Sequence, residues 1–342
     1  MTRIVSIALV GAALFALPTG SASSGSRQLR VAFVTDIIVS AGPHDLRAVA
    51  YRGFLRAVKD FGVQGRVVQY NPRQGQKATL ESLGRQRYDL IFAGIPNSEQ
   101  DFQAVGVIAR KFPRSRFILP DSVVQDLKIR PRNVQGSDWR VEQPAYLAGY
   151  LAALMEKRRP GKDVVGSVNG YAYANENAVA GYEAGAKRAD PGIRTLRGYS
   201  RDWLNPAKCK AVALSQIGKG AGAIFNVAGA CGLGTLEATK QRGVWGIGVD
   251  VDQSFLGQHI LTSVLKGANG QDVYLTVKAL VQGRFKTGAN SVWDLRNGAV
   301  GLGKISPKVP RSFVRQVERI RAQIIAGKIK VPSTLGKRFG KR

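Results

Sequence analysis

Three carboxylates stand where short apolar runs end: Asp36 after 29–35, Asp121 after 116–120 and Asp250 after 245–249. A carboxylate placed there can accept hydrogen bonds from sugar hydroxyls or from the N–H groups of a nucleobase. A single Asp in such a position also serves as a helix cap or turn residue, so it is their common location that points to a site. A fourth run, 223–227, leads into the Gly-rich loop 228–234. Its Gly-x-x-Gly-x-Gly spacing lacks the Lys-Ser/Thr of a phosphate-binding loop, which leaves close approach of backbone to ligand as the simpler role, with Gly229 the first candidate. The chain has only two histidines, His44 and His259, too few for a metal cluster or a His-based triad; neither metal nor cofactor is expected. These groups suit a binding protein better than an enzyme. The enzymatic alternative, a hydrolase of nucleosides working through Asp36 and Asp121, predicts substrate turnover.

The elements that must position these residues alternate regularly. Strand-like runs at 29–35, 66–70, 88–93, 116–120 and 134–137 are interleaved with helical spacing at 49–61, 76–86 and 100–111. A second series follows a helix at 143–157: strands at 164–168, 194–199, 223–227, 245–249 and 260–263, with helices at 174–188, 207–219 and 235–242. Helices at 272–282 and 312–326 close the chain. Short buried strands separated by amphipathic helices build doubly wound parallel sheets, and two such series in 342 residues predict an α/β protein of two Rossmann-like lobes joined by a hinge. The expected division is 29–138 with about 260–290 returning to it, 139–258 with part of 291–330, and a basic tail at 333–342. Ligands of such sheets bind beyond the carboxyl ends of the strands, which places the site between the lobes.

Residues 1–23 carry Arg3, an apolar stretch from Ile4 to Leu17 and then small residues, the order of a secretory signal peptide. About 20 apolar residues are needed to span a bilayer, more than this stretch supplies. No cysteine lies directly after it, so the expectation is an exported chain without an N-terminal lipid anchor. Cys209 and Cys231 would then lie where a disulfide can persist; pairing and two separate buried thiols both remain open. The balance of 51 Lys and Arg against 23 Asp and Glu, a formal +28, fits a solvated basic surface. The alternative is a secreted protein binding nucleic acid or an anionic surface polymer.

Several segments taken together resemble the basic membrane protein family of type I periplasmic-binding folds, which includes bacterial purine-nucleoside receptors. They are Val34-Thr35-Asp36, Asp121-Ser122-Val123, Tyr146-Leu147-Ala148-Gly149, Gly181-Tyr182-Glu183-Ala184-Gly185, Ala228 to Gly234, Gly248-Val249-Asp250-Val251-Asp252-Gln253 and Thr262-Ser263-Val264-Leu265-Lys266. The resemblance implies a monomeric extracytoplasmic receptor that delivers a nucleoside-like ligand to an ABC permease. It implies that Asp36 and Asp121 face a base, that Asp250 and Lys266 hold ribose hydroxyls, and that Trp203 forms one of two stacking surfaces. The chain departs from the family at 43–48, Pro-His-Asp-Leu-Arg-Ala: the second stacking aromatic becomes Leu46, and the Asn that reads the base becomes Arg47. An Arg there could stack in its place or bind an anionic group of the ligand.

Overall fold

The computed structural model describes residues 27–36, 46–71, 73–95, 98–161, 163–171 and 175–335. The signal-like segment 1–23, His44 and the basic run 337–342 lie outside them.

Five strands of the first series, β1 (Arg30–Thr35), β2 (Gln64–Gln69), β3 (Leu90–Phe92), β4 (Arg116–Ile118) and β5 (Val134–Trp139), form a parallel sheet. Their central members read as unbroken buried apolar runs, as expected of a sheet covered on both faces. One face is covered by α2 (Lys77–Arg85) and α3 (Glu99–Lys111), the other by α1 (Leu46–Phe61), which buries Phe54 and Ala57 before Gly62 ends it at φ +61°. The second series repeats the plan with β6 (Val164–Asn169), β7 (Arg194–Tyr199), β8 (Ala223–Val227), β9 (Trp245–Asp250) and β10 (Ile260–Lys266).

Both sheets gain a short sixth strand. The orders are β11-β5-β4-β3-β1-β2 and β12-β10-β9-β8-β6-β7. In these orders β11 (Asn290–Trp293) runs parallel to β5, whereas β12 (Val300–Leu302) runs antiparallel to β10. The common order makes the two lobes versions of one fold, with topological switch points at β1/β3 and β6/β8.

The chain crosses between the sheets three times, and one of the crossings differs from expectation. After β5 it enters α4 (Glu142–Glu156) of the second lobe. The segment 260–266 does not return to the first lobe as expected; as β10 it extends the second sheet, and the crossing comes after Lys266. There α8 (Gln271–Val281) packs Val273, Val277 and Leu280 into the first lobe's core, burial worth about 1.5–3 kcal/mol for each side chain. After β11 the chain passes back to β12 and α9 (Arg311–Ile325), whose Val317, Ile320 and Ile324 join the second core. Strands β11 and β12 are too short and too polar to stand out by pattern.

The glycines of two segments quoted above have a packing role. Cβ atoms at Gly149 of α4 and at Gly181 and Gly185 of α5 (Glu176–Ala189) would strike backbone of the facing helix, at Tyr182, Glu142 and Tyr146 respectively. The two helices touch at a distance only glycine permits.

Candidate ligand-binding site

The crossings put the carboxyl ends of both sheets opposite each other, and the eight candidate residues all line the space between them. Asp36 follows β1. Leu46 and Arg47 lie in the first turn of α1, which begins earlier than the predicted 49, so they stand on a helix rather than in the loop before it. Asp121 follows β4 with φ +59°, and Asp250 ends β9 with φ +65°. Asp is among the few residues that enter this left-handed region readily, and such conformations concentrate where structure is shaped for a ligand.

Three cavities meet here; two hold the eight candidates, and the third, of about 410 Å³ beside Asp250 and Lys266, is lined also by Arg52, Asp252 and Lys304. A chamber of about 80 Å³ is cut into the first lobe between Phe33, Phe92, Trp139 and Trp293, with Asp36, Arg47 and Asp272 in its wall. One water needs about 10–15 Å³ on this scale, so the chamber has room for a flat ring. A larger cavity of about 330 Å³ lies toward the second lobe, against Trp203, Gly229, Asn175 and Asp250. Leu46, Asp121 and Lys266 line both, which makes the two spaces adjoining halves of one cleft.

Arg47 is occupied. Its Nε lies 2.7 Å from Asp36 Oδ1 and its Nη2 donates to Oδ2 at 3.2 Å, with the Asp36 side chain 8% and the Arg47 side chain 28% exposed. Arg47 and Asp36 thus neutralise each other in a two-pronged pair.

Lys266, the last residue of β10, forms an ion pair with Asp121 of the other lobe and lies 5.7 Å above the ring of Trp139. Burial works to lower the Lys266 ammonium, but Asp121 and Asp250 outweigh it and hold the group above the usual lysine value. Asp250 is raised, first by burial, with Lys266 opposing. Asp272, in the first turn of α8, is pushed up by burial to about 6, against hydrogen bonds to its carboxylate from the amides of Val273 and of its own residue and against the charge of Lys266. The charged groups of the two cavities are therefore four acids, Asp36, Asp121, Asp250 and Asp272, and two bases, Arg47 and Lys266.

The second lobe's wall is held by the Cys209–Cys231 disulfide, Cα–Cα 5.6 Å, which settles the open alternative in favour of pairing. It ties α6 (Pro206–Gly218) to the turn after β8. Beside it the Cys231 amide donates to the Trp203 carbonyl at 2.9 Å, and Tyr171 and Trp203 pack with ring centroids 5.6 Å apart. Of the loop's three glycines only Gly229, at φ +54°, lines the cleft. Cβ atoms at Gly232 and Gly234 would meet Asn226 and the Pro206 carbonyl, so these two serve packing rather than ligand approach.

Sequence reasoning missed Trp139, Trp293 and Asp272. The first ends β5 two residues beyond the predicted strand, the second ends an unpredicted strand, and the third reads as the opening residue of a helix. Trp139 and Trp293 are paired in register, with ring centroids 6.0 Å apart. With Lys266 they are the last residues of the three strands from which the chain crosses between lobes. Among the described residues no cluster of three or more His, Cys, Asp or Glu could hold a metal ion, and no helix is long and apolar enough to cross a membrane.

Comparison with known proteins agrees with this arrangement. The family model described as ABC transporter substrate-binding protein PnrA-like matches residues 46–334. The ABC transporter nucleoside-binding protein BmpA of Lactococcus lactis subsp. cremoris is 30% identical over 286 residues, which cover 78% of this chain and 77% of that protein. Basic membrane protein B of Borrelia garinii subsp. bavariensis is 29% identical over 326 residues, 90% of this chain and 89% of that protein. Among solved structures, an ABC transporter system solute-binding protein from Aeropyrum pernix K1 is similar in fold with a TM-score of 0.67 at 22% identity, covering 90% of this chain and 94% of that one. One from Conexibacter woesei gives 0.68 at 20% identity, covering 89% and 99%. Two facing parallel sheets with their strand ends on a shared cleft, and a family match across most of the chain, place this protein in the Bmp family of ABC transporter substrate-binding proteins.

Proposed function

We propose that the protein captures a nucleoside in the interlobe cleft outside the cytoplasm and presents it to an ABC permease. The observation that carries this reading is the division of the cleft into an aromatic chamber with a mostly apolar surface and an adjoining, more polar cavity, which share Leu46, Asp121 and Lys266. A nucleoside is divided the same way. Its flat base would enter the chamber between Leu46 and the aromatic side chains, with Trp203 closing from the second lobe. Its ribose hydroxyls would meet Asp250 and Lys266, where a paired acceptor and donor leave few buried polar atoms unsatisfied. Gly229 lets the backbone approach the sugar closely.

Two further observations favour a neutral ligand over an anionic one. Arg47 is balanced by Asp36, and the two cavities carry more acids than bases. Binding proceeds by hinge closure: Lys266 exchanges Asp121 for the ligand hydroxyls, a contact differing between the open and closed forms, which is what allows the ligand to shift their populations.

The test is a thermal-shift screen of nucleosides, bases, sugars, nucleotides and amino acids. A ligand at 100 times its Kd stabilises the native state by about 2.7 kcal/mol. Purine nucleosides should raise the melting temperature of the wild type and leave Asp250→Ala unmoved. A response confined to nucleotides, sugars or amino acids refutes the nucleoside reading.

A further inference from the structure

The chamber in the first lobe contains polar atoms that nothing in the protein satisfies. The indole N–H groups of Trp139 and Trp293 and Oδ1 of Asp272 are buried without a hydrogen-bond partner, and all three side chains line the same chamber. Their neighbourhood is otherwise apolar or internally paired: Asp36 is held by Arg47 and Asp121 by Lys266. An unpaired buried donor or acceptor costs about 1–3 kcal/mol, so three in one chamber mark a place prepared for something absent from the folded chain alone. Gly267 keeps this place open. A Cβ there would lie 3.4 Å from Asp272 Oδ1, 3.7 Å from the Trp139 ring and 3.8 Å from Leu46, which puts these groups around a common point.

We propose that Asp272, with the indole N–H groups of Trp139 and Trp293, is a specificity-determining set that reads a ring N–H beside a ring carbonyl, the lactam edge of a 6-oxopurine, and selects it over a 6-aminopurine. The inference rests on the nucleoside reading above and specifies which nucleosides. The chemistry follows from the donor and acceptor inventory. An ionised carboxylate offers only acceptors and an indole only a donor, so the complementary ligand edge presents N–H to Asp272 and C=O to an indole. An aminopurine presents a bare ring nitrogen where the lactam has N–H, and a lone pair then faces a carboxylate. Because Trp139, Trp293 and Lys266 end the three strands that lead into the lobe crossings, opening of the lobes gives the base access to groups that are covered in the unliganded form.

Titration calorimetry at pH 7.5 with inosine, guanosine and adenosine tests this on the wild type, Asp272→Asn and Trp293→Phe. The wild type should bind inosine and guanosine about tenfold or more tighter than adenosine, the scale on which a site built for a hydrogen bond rejects an analogue that leaves it unpaired. Asp272→Asn should lose that factor for the 6-oxopurines and change little for adenosine. Trp293→Phe keeps an aromatic ring but removes one donor, and should weaken the two carbonyl-bearing ligands selectively. Melting curves of the variants establish that they are folded. If all three nucleosides bind alike and Asp272→Asn alters none of them, the lactam reading is overturned while the receptor reading stands. If no nucleoside binds the folded wild type, both fall.

Discussion

Asp272→Asn should make the ligand-free protein more stable at neutral pH, although it removes a charged side chain from the wall of the site. Burial lifts this carboxyl to about 6 from an ordinary 3.8. Between those values the native state holds a proton that the unfolded chain has released, so stability falls as pH rises from about 4 to about 6. Above pH 6 the full deficit is present. A shift of roughly two pH units corresponds to a cost on the order of 3 kcal/mol at about 1.4 kcal/mol per unit. An amide of the same shape avoids that cost. Relative to the protonated acid it lacks one of the two oxygens that could accept from the α8 amides, a loss of about 0.5–1 kcal/mol. The variant should therefore gain about 2 kcal/mol at pH 7, a rise of roughly 4 °C in melting temperature for a protein of this size, and almost nothing at pH 4. The attraction of Lys266 and the repulsion of Asp121, the other charged groups acting on this carboxyl, disappear with its charge and are already contained in the raised value. Unfolding followed by circular dichroism at the two pH values measures it. Equal or lower stability of the variant at pH 7, or the same gain at both, would refute the assignment of Asp272 as a buried, destabilised acid.

Two further outcomes follow from the pairs that brace the cleft. Arg47→Ala leaves the nearly buried Asp36 carboxylate without its partner and should cost about 1.5–3 kcal/mol in denaturant unfolding; adding Asp36→Asn should recover most of that loss, and a double variant no more stable than the single one would show that the pair is not what holds these residues. Reduction of Cys209–Cys231, or its replacement by two serines, releases a constraint between positions 22 residues apart. Stability should fall by about 3 kcal/mol on the chain-entropy model, and nucleoside affinity should weaken because Trp203 and Gly229 flank the bridge, whereas unchanged melting on full reduction argues against a stabilising role.

The sheets were legible because their buried strands are near-continuous apolar runs, as in 30–34 and 223–227, and because the strand–helix alternation occurs twice. The strand-end acids followed from the same pattern: once β1, β4 and β9 are located, Asp36, Asp121 and Asp250 must face the cleft. What the pattern could not show is how the chain returns. Nothing in 260–266 distinguishes a strand of one lobe from a strand of the other, since the choice is made by pairing with β9 and by α8 docking on α1, contacts far apart in sequence. Trp139 and Trp293 were invisible for a related reason. An isolated Trp at a strand end reads as core until the register of β5 with β11 brings the two together. The fate of Arg47 was likewise undetermined, because a guanidinium eleven residues from a carboxylate pairs with it only if the helix begins early enough, as α1 does at Leu46.

The formal charge of +28 acquires a different meaning once the cleft is resolved. A protein that uses its charge to hold a polyanion at this site would line the chamber and the cavity beside it with Lys and Arg, but there acids outnumber bases by four to two. The basic residues lie mainly outside the cavity, on faces such as that of α9, where Arg311, Arg315 and Arg319 are exposed. Inside, the native state tolerates several unfavourable features in one place: left-handed backbone at Asp121 and Asp250, an acid raised by burial at Asp272, and two indole donors without partners. Strain of this kind persists only where the surrounding structure enforces it. A neutral ligand bearing donors for the acids and an acceptor for the indoles would offset these costs together, and to reach Asp250 along with the first-lobe groups it needs both lobes in contact. Of these groups Asp250 is the one on the second lobe, so it is the contact to Asp250, added to those in the first-lobe chamber, that favours the closed form.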